Sequence, residues 1–590
     1  MKYFFRFGVA FAFLSLAQAQ TATKPEGKGT SSDPYQIASL ANLYWLSQDS
    51  TKWHSNYIQT ADIDAAETEN WDSGAGFPPI GYQQSACYHP FSGTYNGKGY
   101  TIKNLYINTT LRSWPYTINT GLFGTTYGAD IDSLNLEDVS IVGLYNTGGL
   151  VGSNGAIGED GDADTTRPSS IFRCSVTGSI SGTYNVGGIA GSNLYSTIFG
   201  STFSGTVTAS KDSSYVGGVV GYQEGAANHA GSSYTAYIYQ CSAAGTVYGG
   251  KYFAGGVLGY SSEYSVVKNS ISNVNVTVFG GKFVGGLVGY NKGSITNSYS
   301  TGTIDADSSS FIGGLLGYNS DGLVYYSFNS GSVSGMSFVG GLIGGSVDDA
   351  VRQCYNSGPV SGSTYVGGIV GSVYQTSLSD SYNTGDISGV AYVGGIVGKL
   401  GDYGVHRTYN IGSITATDSM VGAIVGYTDS YIYDSYFDEQ TSGVGVGIGY
   451  TDTTQTISGL SSAEMKKESS FAEWNFDSVW TIEEGVSYPT LRNMAELSTA
   501  ALLPVSPHLA QRQKLQIDNG IALYKITESG LVSIDIYDLS GRRIAAFSDG
   551  FKKAGTYQTP IGLKHLSTGI YTTVLRINGD RATSGLMNRK

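Results

Sequence analysis

The sequence predicts an all-β chain folded as a parallel β-helix, a solenoid, and three observations lead to this fold class. A glycine-rich word recurs along the chain, for example as FVGGLVGY at 283–290, FIGGLLGY at 311–318 and YVGGIVGS at 365–372. The 590 residues include 84 Gly and 45 Tyr but only 13% charged residues, which fits neither helical bundles nor charged disordered chains. The repeat also lacks the i, i+3, i+4, i+7 spacing of apolar residues that marks a helix.

The spacing of the repeat is the first element of the argument. Between successive copies the second glycine steps by 28, 39, 30, 38, 30, 28, 27, 27, 27 and 28 residues; the aligned positions are Gly121, Gly149, Gly188, Gly218, Gly256, Gly286, Gly314, Gly341, Gly368 and Gly395, with Ala423 in the last copy. Periods of about 20–50 residues indicate a solenoid, a propeller or an array. A propeller, the main structural alternative, needs about 40 residues and four strands for each blade. We therefore expect one β-helix over residues 85–450, with loops extruded near 153–168 and 224–235.

A single unit shows how each coil is built. Residues 293–320 contain three β-prone pieces, around Ile295, at 299–304 and at 311–316, separated by Asn, Gly, Asp and Ser. Each strand should pair with its equivalent one coil away, about 4.8 Å distant, so that like residues stack. Val284, Leu287 and Val288 cannot all face inward from one flat strand, so we expect the backbone to bend at the double glycine between them.

The two ends of the rod need caps, because open sheet edges promote aggregation. Residues 20–84 form the predicted amino-terminal cap, in which DPYQIASLANLYWLSQ places apolar residues at mostly helical spacing. Residues 451–495 form the predicted carboxyl-terminal cap, in which SSAEMKKESSF opens with a serine that suits a helix N-cap.

The amino terminus predicts export. Residues 1–19 combine Lys2 and Arg6, an apolar stretch, and the small-residue site Ala17-Gln18-Ala19, which is typical of a signal peptide cleaved before Gln20. No later apolar run is long enough to predict a membrane helix. The net charge of −13 offers no basic face, so we expect no nucleic-acid partner.

The cysteines predict neither a disulfide scaffold nor a metal site. Cys87, Cys174, Cys241 and Cys354 lie more than 60 residues apart. The last three occupy a repeat position that holds Ser or Thr in other copies, so we interpret them as small packed residues. The sequence predicts no metal and no cofactor.

The repeat words also resemble a known family. The VGGLVG and VGGIVG words, the preceding NSYSTG and DSYNTG, FSGTYNGKGYTIKNLYI at 91 and WNFDSVWTIEEGVSYPTL at 474 are similar to GLUG-repeat bacterial surface proteins over roughly 32–495. This resemblance implies a right-handed parallel β-helix and an adhesin-like role at the cell surface.

The carboxyl-terminal residues differ from the repeats. Residues 496–511 contain two prolines and no period, and predict a linker. Residues 512–590, with GLVSIDIYDLSGRRIAAF and STGIYTTVLRINGDRATSGLMNRK, predict a small Ig-like β-sandwich. They resemble the type A sorting domain of the type IX secretion system, which implies that this machinery is a partner and that the protein reaches the outer-membrane surface of a Gram-negative bacterium. An ordinary Ig-like module without an export role is the alternative.

A search for catalytic groups favours a binding protein over an enzyme. The best candidate for a polysaccharide lyase or glycoside hydrolase is Asp348-Asp349 with Arg352, but no second charged ladder accompanies it on neighbouring coils. His229 and His406 lie in separate repeats without a nucleophile beside them. We therefore assign no catalytic residue, and expect a secreted or cell-surface adhesin-like protein whose ligand is a glycan or a surface protein.

Two further patterns leave alternatives open. Asp160, Asp162 and Asp164 alternate as calcium ligands do, but the glycine and the glutamate of a calcium loop are missing, so an acidic loop competes with a calcium site. Aromatic residues also recur at one point of successive repeats and must stack along the rod: Tyr299, Phe328, Tyr355, Tyr382, Tyr409 and Tyr436. Facing outward they would form a docking strip, and facing inward they would be core.

Overall fold

A computed structural model of the chain describes residues 20–82, 89–112, 118–155, 167–212, 214–227, 233–451, 456–492 and 494, and seven strands between 515 and 588. The signal peptide, Cys87, His229, the linker and the three alternating aspartates at 160–164 lie outside the described residues. The described residues are mostly β-strand, and their helix is confined to one α-helix and four 3-10 segments.

The strands that follow the double glycines form one parallel twelve-stranded sheet. Each belongs to one coil and pairs with its neighbours in chain order; they are Phe123–Thr126, Val151–Asn154, Ala190–Leu194, Val220–Glu224, Leu258–Ser261, Val288–Asn291, Leu316–Ser320, Ile343–Val347, Val370–Tyr374, Val397–Leu400, Val425–Thr428 and Ile448–Thr451.

The remaining strands of the coils form a second parallel system of ladders. The strands that enter the double glycine are Asn119–Thr120, Asn146–Gly148, Asn185–Gly187, Tyr215–Gly217, Tyr252–Gly255, Lys282–Gly285, Ile304–Gly313, Val333–Gly340, Thr364–Gly367, Ala391–Gly394 and Val421–Gly422. Those that follow the twelve-stranded sheet are Asp130–Asp132, Ser170–Phe172, Thr197–Phe199, Ala236–Tyr239, Ser265–Lys268, Ser294–Thr296, Leu323–Tyr325, Ala350–Arg352, Ser377–Asn383, Gly404–Asn410 and Tyr431–Tyr433. The third set is Asn135–Val142, Ser175–Gly182, Thr202–Ala209, Ser242–Tyr248, Ile271–Thr277, Tyr299–Ser300, Phe328–Asn329, Tyr355–Asn356, Val360–Ser361, Ile387–Gly389, Ile414–Ala416, Ser435–Asp438 and Ile457–Leu460.

The register places like residues on like, as a parallel β-helix requires. Tyr290 pairs with Tyr318, and Asn291 pairs with Asn319. The predicted solenoid is therefore confirmed, and the absence of four-stranded blades from the described coils argues against the propeller.

The double glycine lets each coil turn a corner against its neighbour. The strand before it ends at Gly285, the next begins at Val288, and Val284, Leu287 and Val288 are all fully buried. A Cβ on Gly286 would lie 2.1 Å from the carbonyl oxygen of Gly314, a distance that real atoms do not adopt. Neither glycine has a positive φ, so close approach between coils, more than backbone freedom, requires glycine here.

The parallel pairing extends beyond both limits, 85 and 450, that the repeat words suggested. At the amino end Tyr35–Ile37 pairs with Asn56–Gln59, which pairs with Thr94–Asn96. At the carboxyl end Ser435–Asp438 pairs with Ile457–Leu460. These outer coils carry no double-glycine word.

Further elements close the amino-terminal end. The predicted helix is present as Leu40–Gln48, with Ser39 as its N-cap. Short 3-10 segments and strands complete this end; they are Ser50–Lys52, Ala66–Gly74, Thr109–Leu111, Ile63–Asp64, Thr101–Lys103 and Tyr106–Asn108. Non-helical backbone at Trp71, Asp72 and Ser73 interrupts the second of these segments.

The helix expected in SSAEMKKESSF is absent. Ser461 and Glu464 do form a capping pair, in which the Ser461 Oγ donates a 2.7 Å bond to the Glu464 carboxylate. Only turns and the 3-10 helix Glu468–Ser470 follow, because Met465 and Phe471 are drawn into an aromatic cluster on the side of the rod. Trp480–Thr481 then pairs antiparallel with Thr490–Leu491.

The second long repeat does extrude a loop. Ala226–Ala227 and Ser233–Tyr234 form a short antiparallel hairpin that interrupts the coil after Val220–Glu224. Residues 156–166 of the first long repeat lie outside the described part of the chain.

The carboxyl-terminal residues form two antiparallel sheets. One contains Leu515–Asp518, Ile521–Ile526 and Gly555–Pro560, and the other contains Gly530–Tyr537, Arg543–Lys552, Gly569–Ile577 and Asp580–Asn588. Val532 and Ile534 of the second sheet are buried.

Candidate binding surface

Two columns of aromatic side chains run along the outside of the rod, and each coil contributes one ring to a column. We call the two columns together the outer aromatic strip. The first column precedes the double glycine and comprises Tyr215, Phe253, Phe283, Phe311, Phe338, Tyr365 and Tyr392. The second column lies on the twelve-stranded sheet and comprises Tyr222, Tyr260, Tyr290 and Tyr318, in register. All of these residues are half-buried, so the strip is a surface layer and not part of the solenoid core.

The rings of the strip support each other in two directions. Within the first column neighbouring rings stack, with centroids 4.5 Å apart for Phe311 and Phe338. Between columns the rings meet edge to face, as Phe283 and Tyr290 do at 5.3 Å and 90°. Stacked and edge-to-face pairs each add about 0.5–1.5 kcal/mol beyond their buried area. Because the ring faces are occupied by neighbouring rings, the strip presents edges and hydroxyl groups to solvent.

The first column is held in an unusual backbone conformation. Phe253, Phe283, Phe311, Phe338 and Tyr365 all have φ between 53° and 60°, a left-handed region that bulky residues seldom adopt. The surrounding stack must offset this strain in every coil. The repeated strain shows that the outward orientation of these rings is built into the fold.

The hydroxyl groups of the second column differ along the strip. Tyr222 donates a 3.0 Å bond to Glu224. For Tyr260, Tyr290 and Tyr318 no hydrogen-bond partner occurs among the described residues. Their ring centroids are 5.3 and 5.4 Å apart, so the rod offers a row of phenol groups at the spacing of its coils.

The second column is then interrupted. In register with Tyr318 the following coils carry Gly345, Ser372 and Lys399 before Tyr427 resumes the column. Lys399 bridges the gap with its Nζ 5.9 Å from the ring centroid of Tyr365 and 6.0 Å from that of Tyr427, which are cation–π distances.

The aromatic ladder predicted from the sequence has a different environment from either expectation. Its side chains point away from the solenoid core, because Ser381 and Asn383 on either side of Tyr382 are the residues that face inward. A segment of residues 461–492, which we call the closing segment, then covers part of it. The ring centroid of Trp480 lies 6.0 Å from that of Tyr382 and 6.1 Å from that of Tyr409. The ladder thus faces outward and, apart from the half-buried Tyr355, is buried by the chain itself, so it is not a solvent-exposed strip.

The inward neighbours of this ladder form a second ladder of amides. Asn329, Asn356, Asn383 and Asn410 are fully buried, and each of the first three donates from Nδ2 to the next Oδ1 at 3.0, 2.8 and 2.8 Å. Each Nδ2 also donates to the carbonyl oxygen two residues on, as Asn356 does to Gly358 at 2.7 Å. In each recurrent Tyr-Asn pair the tyrosine ring faces outward, whereas the asparagine amide faces inward and makes its hydrogen bonds within the ladder.

The candidate catalytic carboxylates belong to a turn of the coil. Asp349 accepts bonds of 2.9 and 2.7 Å from the Ser346 hydroxyl and another from the Asn319 amide. Burial raises its pKa to about 7, against the opposing effect of these bonds. Asp348 and Arg352 are exposed, and no ion pair of Arg352 occurs within the described residues. Asn291 donates to the Asn319 amide oxygen, and Asn319 in turn donates to Asp349, so the Asp349 carboxyl group is the last acceptor of this amide ladder.

The described cysteines are small packed residues, as predicted. Cys174, Cys241 and Cys354 are buried free thiols, and burial raises the pKa of each to about 12. The Cys354 Sγ donates to the Arg352 carbonyl at 3.2 Å, as the Ser381 Oγ donates to the Ser379 carbonyl at 2.9 Å.

The remaining candidate ligands form no site in the described part of the chain. His406 stacks on Tyr433 at 5.1 Å, and burial, followed by the charge of Arg407, lowers its pKa. No group of three or more His, Cys, Asp or Glu side chains suited to a metal ion occurs among the described residues. The calcium alternative concerns residues outside that part and stays open.

Sequence reasoning missed the outer aromatic strip, although its signal was present. In the seven coils of the first column an aromatic residue directly precedes the VGG, AGG or IGG word, and in four of these coils a tyrosine follows seven residues later. What the sequence did not reveal is that these two positions, seven residues apart, meet on one outer surface. The bend at the double glycine, which folds one strand against the next, brings them together.

Comparisons with known proteins agree with the repeat architecture. The GLUG motif matches residues 182–208, 281–305 and 362–388, each of which covers about one repeat and includes its double glycine. The chain is also 38% identical over 132 residues to halomucin of Haloquadratum walsbyi, a match that covers 22% of this chain and 1% of that protein. No helix in the described residues has the length and apolar character needed to span a membrane. The chain thus carries GLUG motifs on a parallel β-helix rod with an aromatic outer surface.

Proposed function

We propose that the protein is an extracellular, adhesin-like binding rod that holds a linear polysaccharide along its outer aromatic strip without cleaving it. The row of hydroxyl groups on Tyr260, Tyr290 and Tyr318, for which no partner occurs among the described residues, carries the proposal. The GLUG motifs and the similarity to halomucin support an extracellular repeat protein.

The spacing of the coils suits a polymer better than a compact ligand. The coils that carry Tyr260, Tyr290 and Tyr318 add one equivalent phenol group every 5.3–5.4 Å, which is comparable to the advance of one sugar along an extended polysaccharide. A chain lying parallel to the rod axis can therefore repeat the same contact at each sugar. Repeated weak contacts on one ligand add up to strong retention through their effective concentration.

The charge of the protein favours a neutral polymer. The chain has a net charge of −13, so it repels polyanions at low salt. Aromatic edges with hydroxyl groups, in contrast, offer both apolar contact and hydrogen bonds to sugars. A surface protein is the alternative ligand, since the same features also suit protein interfaces.

The decisive experiment removes the hydroxyl groups and leaves the rings in place. The triple variant Tyr260→Phe, Tyr290→Phe, Tyr318→Phe should be retained several-fold less on cellulose, xylan or mannan than the unmodified protein. A matched control, Tyr431→Phe with Tyr433→Phe, removes two hydroxyls from exposed tyrosines on another sheet and should bind normally. Equal retention of the triple variant would contradict a role for the strip.

Non-catalytic binding has its own test. Soluble reducing sugars should not accumulate when the protein is incubated with these polysaccharides. Product release that is lost in Asp348→Ala or Asp349→Ala would instead support a lyase or glycoside hydrolase. Failure to retain any polysaccharide, together with binding to proteinaceous cell surfaces, would favour the surface-protein alternative.

The proposed route to the outside uses both ends of the chain. We assign export across the inner membrane to residues 1–19 and passage through the type IX machinery to residues 512–590; the two antiparallel sheets support a folded terminal module. Deleting residues 512–590 should leave the rod in the periplasm of a type IX-competent host. Normal surface delivery of the truncated chain would show that the terminal sheets are a structural module only.

A further inference from the structure

A cleft lies beside the outer aromatic strip at the foot of the extruded hairpin. It is a shallow depression, open to solvent, with a volume of about 410 Å³. The residues that matter for its chemistry are Glu224, Gly225, Tyr260, Glu263, Tyr264 and Lys292. Because Tyr260 belongs both to the cleft and to the second column, a ligand lying along the strip would reach the cleft directly.

Tyr264 supplies the free aromatic face that the strip itself lacks. Its side chain is 46% exposed, and its ring contacts no other aromatic ring in the described part of the chain. It also has a φ of 55°, the conformation of this turn in several coils, since Tyr195, Asp321 and Asp348 at equivalent positions have φ between 52° and 57°. Its carbonyl oxygen accepts a 3.1 Å bond from the Ala236 amide, which holds the residue in this conformation.

The neighbouring glycine is required by the same geometry. A Cβ on Gly225 would lie 2.0 Å from the carbonyl oxygen of Tyr264. The Gly225 amide donates a 3.1 Å bond to the Ser262 hydroxyl. The start of the hairpin and the turn that carries Tyr264 are thus joined, so the floor of the cleft is preorganised.

One carboxylate of the cleft is held in place by two phenol groups. Tyr195 donates to one Glu224 oxygen and Tyr222 donates to the other, both at 3.0 Å. Each oxygen has a second acceptor site left. Glu263 adds an exposed carboxylate and Lys292 adds a donor, so acceptors and a donor surround one free aromatic face.

We propose that this cleft binds a single neutral sugar ring and acts as the specificity subsite of the rod. The apolar face of the sugar packs on Tyr264, pairs of hydroxyl groups donate to Glu224 and Glu263, and Lys292 donates to a sugar oxygen. Two carboxylates against one ammonium group disfavour uronic acids. This inference rests on the proposed polysaccharide binding, because it assigns where one sugar of the bound chain is recognised.

The test uses trisaccharides, because a trimer with one ring in the cleft reaches at most two further coils of the strip, whereas a polymer contacts the whole strip. Neutral cellotriose, xylotriose and mannotriose, cationic chitotriosan and anionic trigalacturonate are titrated into the full chain by calorimetry. We expect at least one neutral trimer to bind, with affinity reduced at least tenfold by Tyr264→Ala and by Glu263→Gln. Tyr264→Phe keeps the ring and should bind within about twofold of the unmodified protein. Tyr374→Ala, at another exposed tyrosine, is the matched control and should have no effect.

The outcomes separate the cleft from the strip. If no neutral trimer binds, or if Tyr264→Ala binds normally, the cleft proposal is wrong, whatever the polymer does. Preferred binding of chitotriosan or trigalacturonate would equally overturn the assignment to a neutral sugar. The double variant Tyr290→Phe with Tyr318→Phe, which leaves Tyr260 of the cleft unchanged, should lose polymer retention several-fold yet bind the trimer within about threefold of the unmodified protein; loss of neither would refute the strip and leave the cleft as an independent site.

Discussion

The hydroxyl group of Tyr409 donates a 2.6 Å hydrogen bond to the carbonyl oxygen of Pro489, 80 residues further along the chain. Tyr409 is 1% exposed, so this bond lies in the interface between the rod and the closing segment. It shows that the carboxyl-terminal part of the repeat region is sealed by specific contacts and not by apolar packing alone.

We predict that Tyr409→Phe destabilises the closing segment by about 1–3 kcal/mol, because the buried Pro489 carbonyl loses its partner. Tyr382→Phe is the matched control, since no hydrogen bond of the Tyr382 hydroxyl occurs among the described residues. Denaturant unfolding followed by tryptophan fluorescence will report the change, because Trp474 and Trp480 lie in this interface. Equal destabilisation by the two variants would contradict the importance of this bond.

The corner glycines should not tolerate a single added methyl group. Gly286→Ala places a Cβ 2.1 Å from the Gly314 carbonyl oxygen and 2.3 Å from the Ser300 hydroxyl, and overpacking of this kind costs about 3 kcal/mol. Gly445→Ala meets nothing within 4 Å and should be neutral. Urea midpoints of the two variants provide the comparison, and a stable Gly286→Ala protein would refute the close-approach explanation.

The three described thiols should be unreactive in the native protein. With a pKa of about 12, only about one such thiol in ten thousand is ionised at pH 8. Ellman's reagent should therefore detect at most one thiol per native chain, that of Cys87, and four in denaturant. Since the folded pKa lies above the unfolded value, these groups lower stability as the pH rises above about 8.5.

Asp349 should make the stability of the rod depend on pH near neutrality. Its folded pKa of about 7 exceeds the unfolded value of about 3.9. The carboxyl group therefore disfavours the folded state progressively as the pH rises from about 4 to about 7. Asp349→Asn should raise the free energy of unfolding at pH 8 by about 1 kcal/mol or more, and the difference should shrink towards pH 4. A constant difference between pH 4 and pH 8 would show that Asp349 is not the titrating group.

The repeat spacing predicted the fold because stacking couples sequence and structure directly. Each coil pairs with its neighbour in register, as Val288 does with Leu316, so a regular coil imposes a regular period on the sequence. The helix at Leu40–Gln48 was equally predictable from its apolar spacing and its Ser39 cap. The capping pair at Ser461 predicted a helix that is absent, because aromatic packing of the closing segment overrides the local helix signal.

The sequence by itself therefore determined the period of the rod, its apolar core and the glycine corners, because these depend on contacts between equivalent positions of neighbouring coils. The tertiary structure alone decided which aromatic residues remain accessible. Tyr382 and Phe311 both stack on equivalents in adjacent coils, yet the closing segment, which is distant in sequence, buries Tyr382 and leaves Phe311 half-exposed. The alternation of a strand shows which side chains point away from its own core, but it cannot show which other part of the chain packs over them.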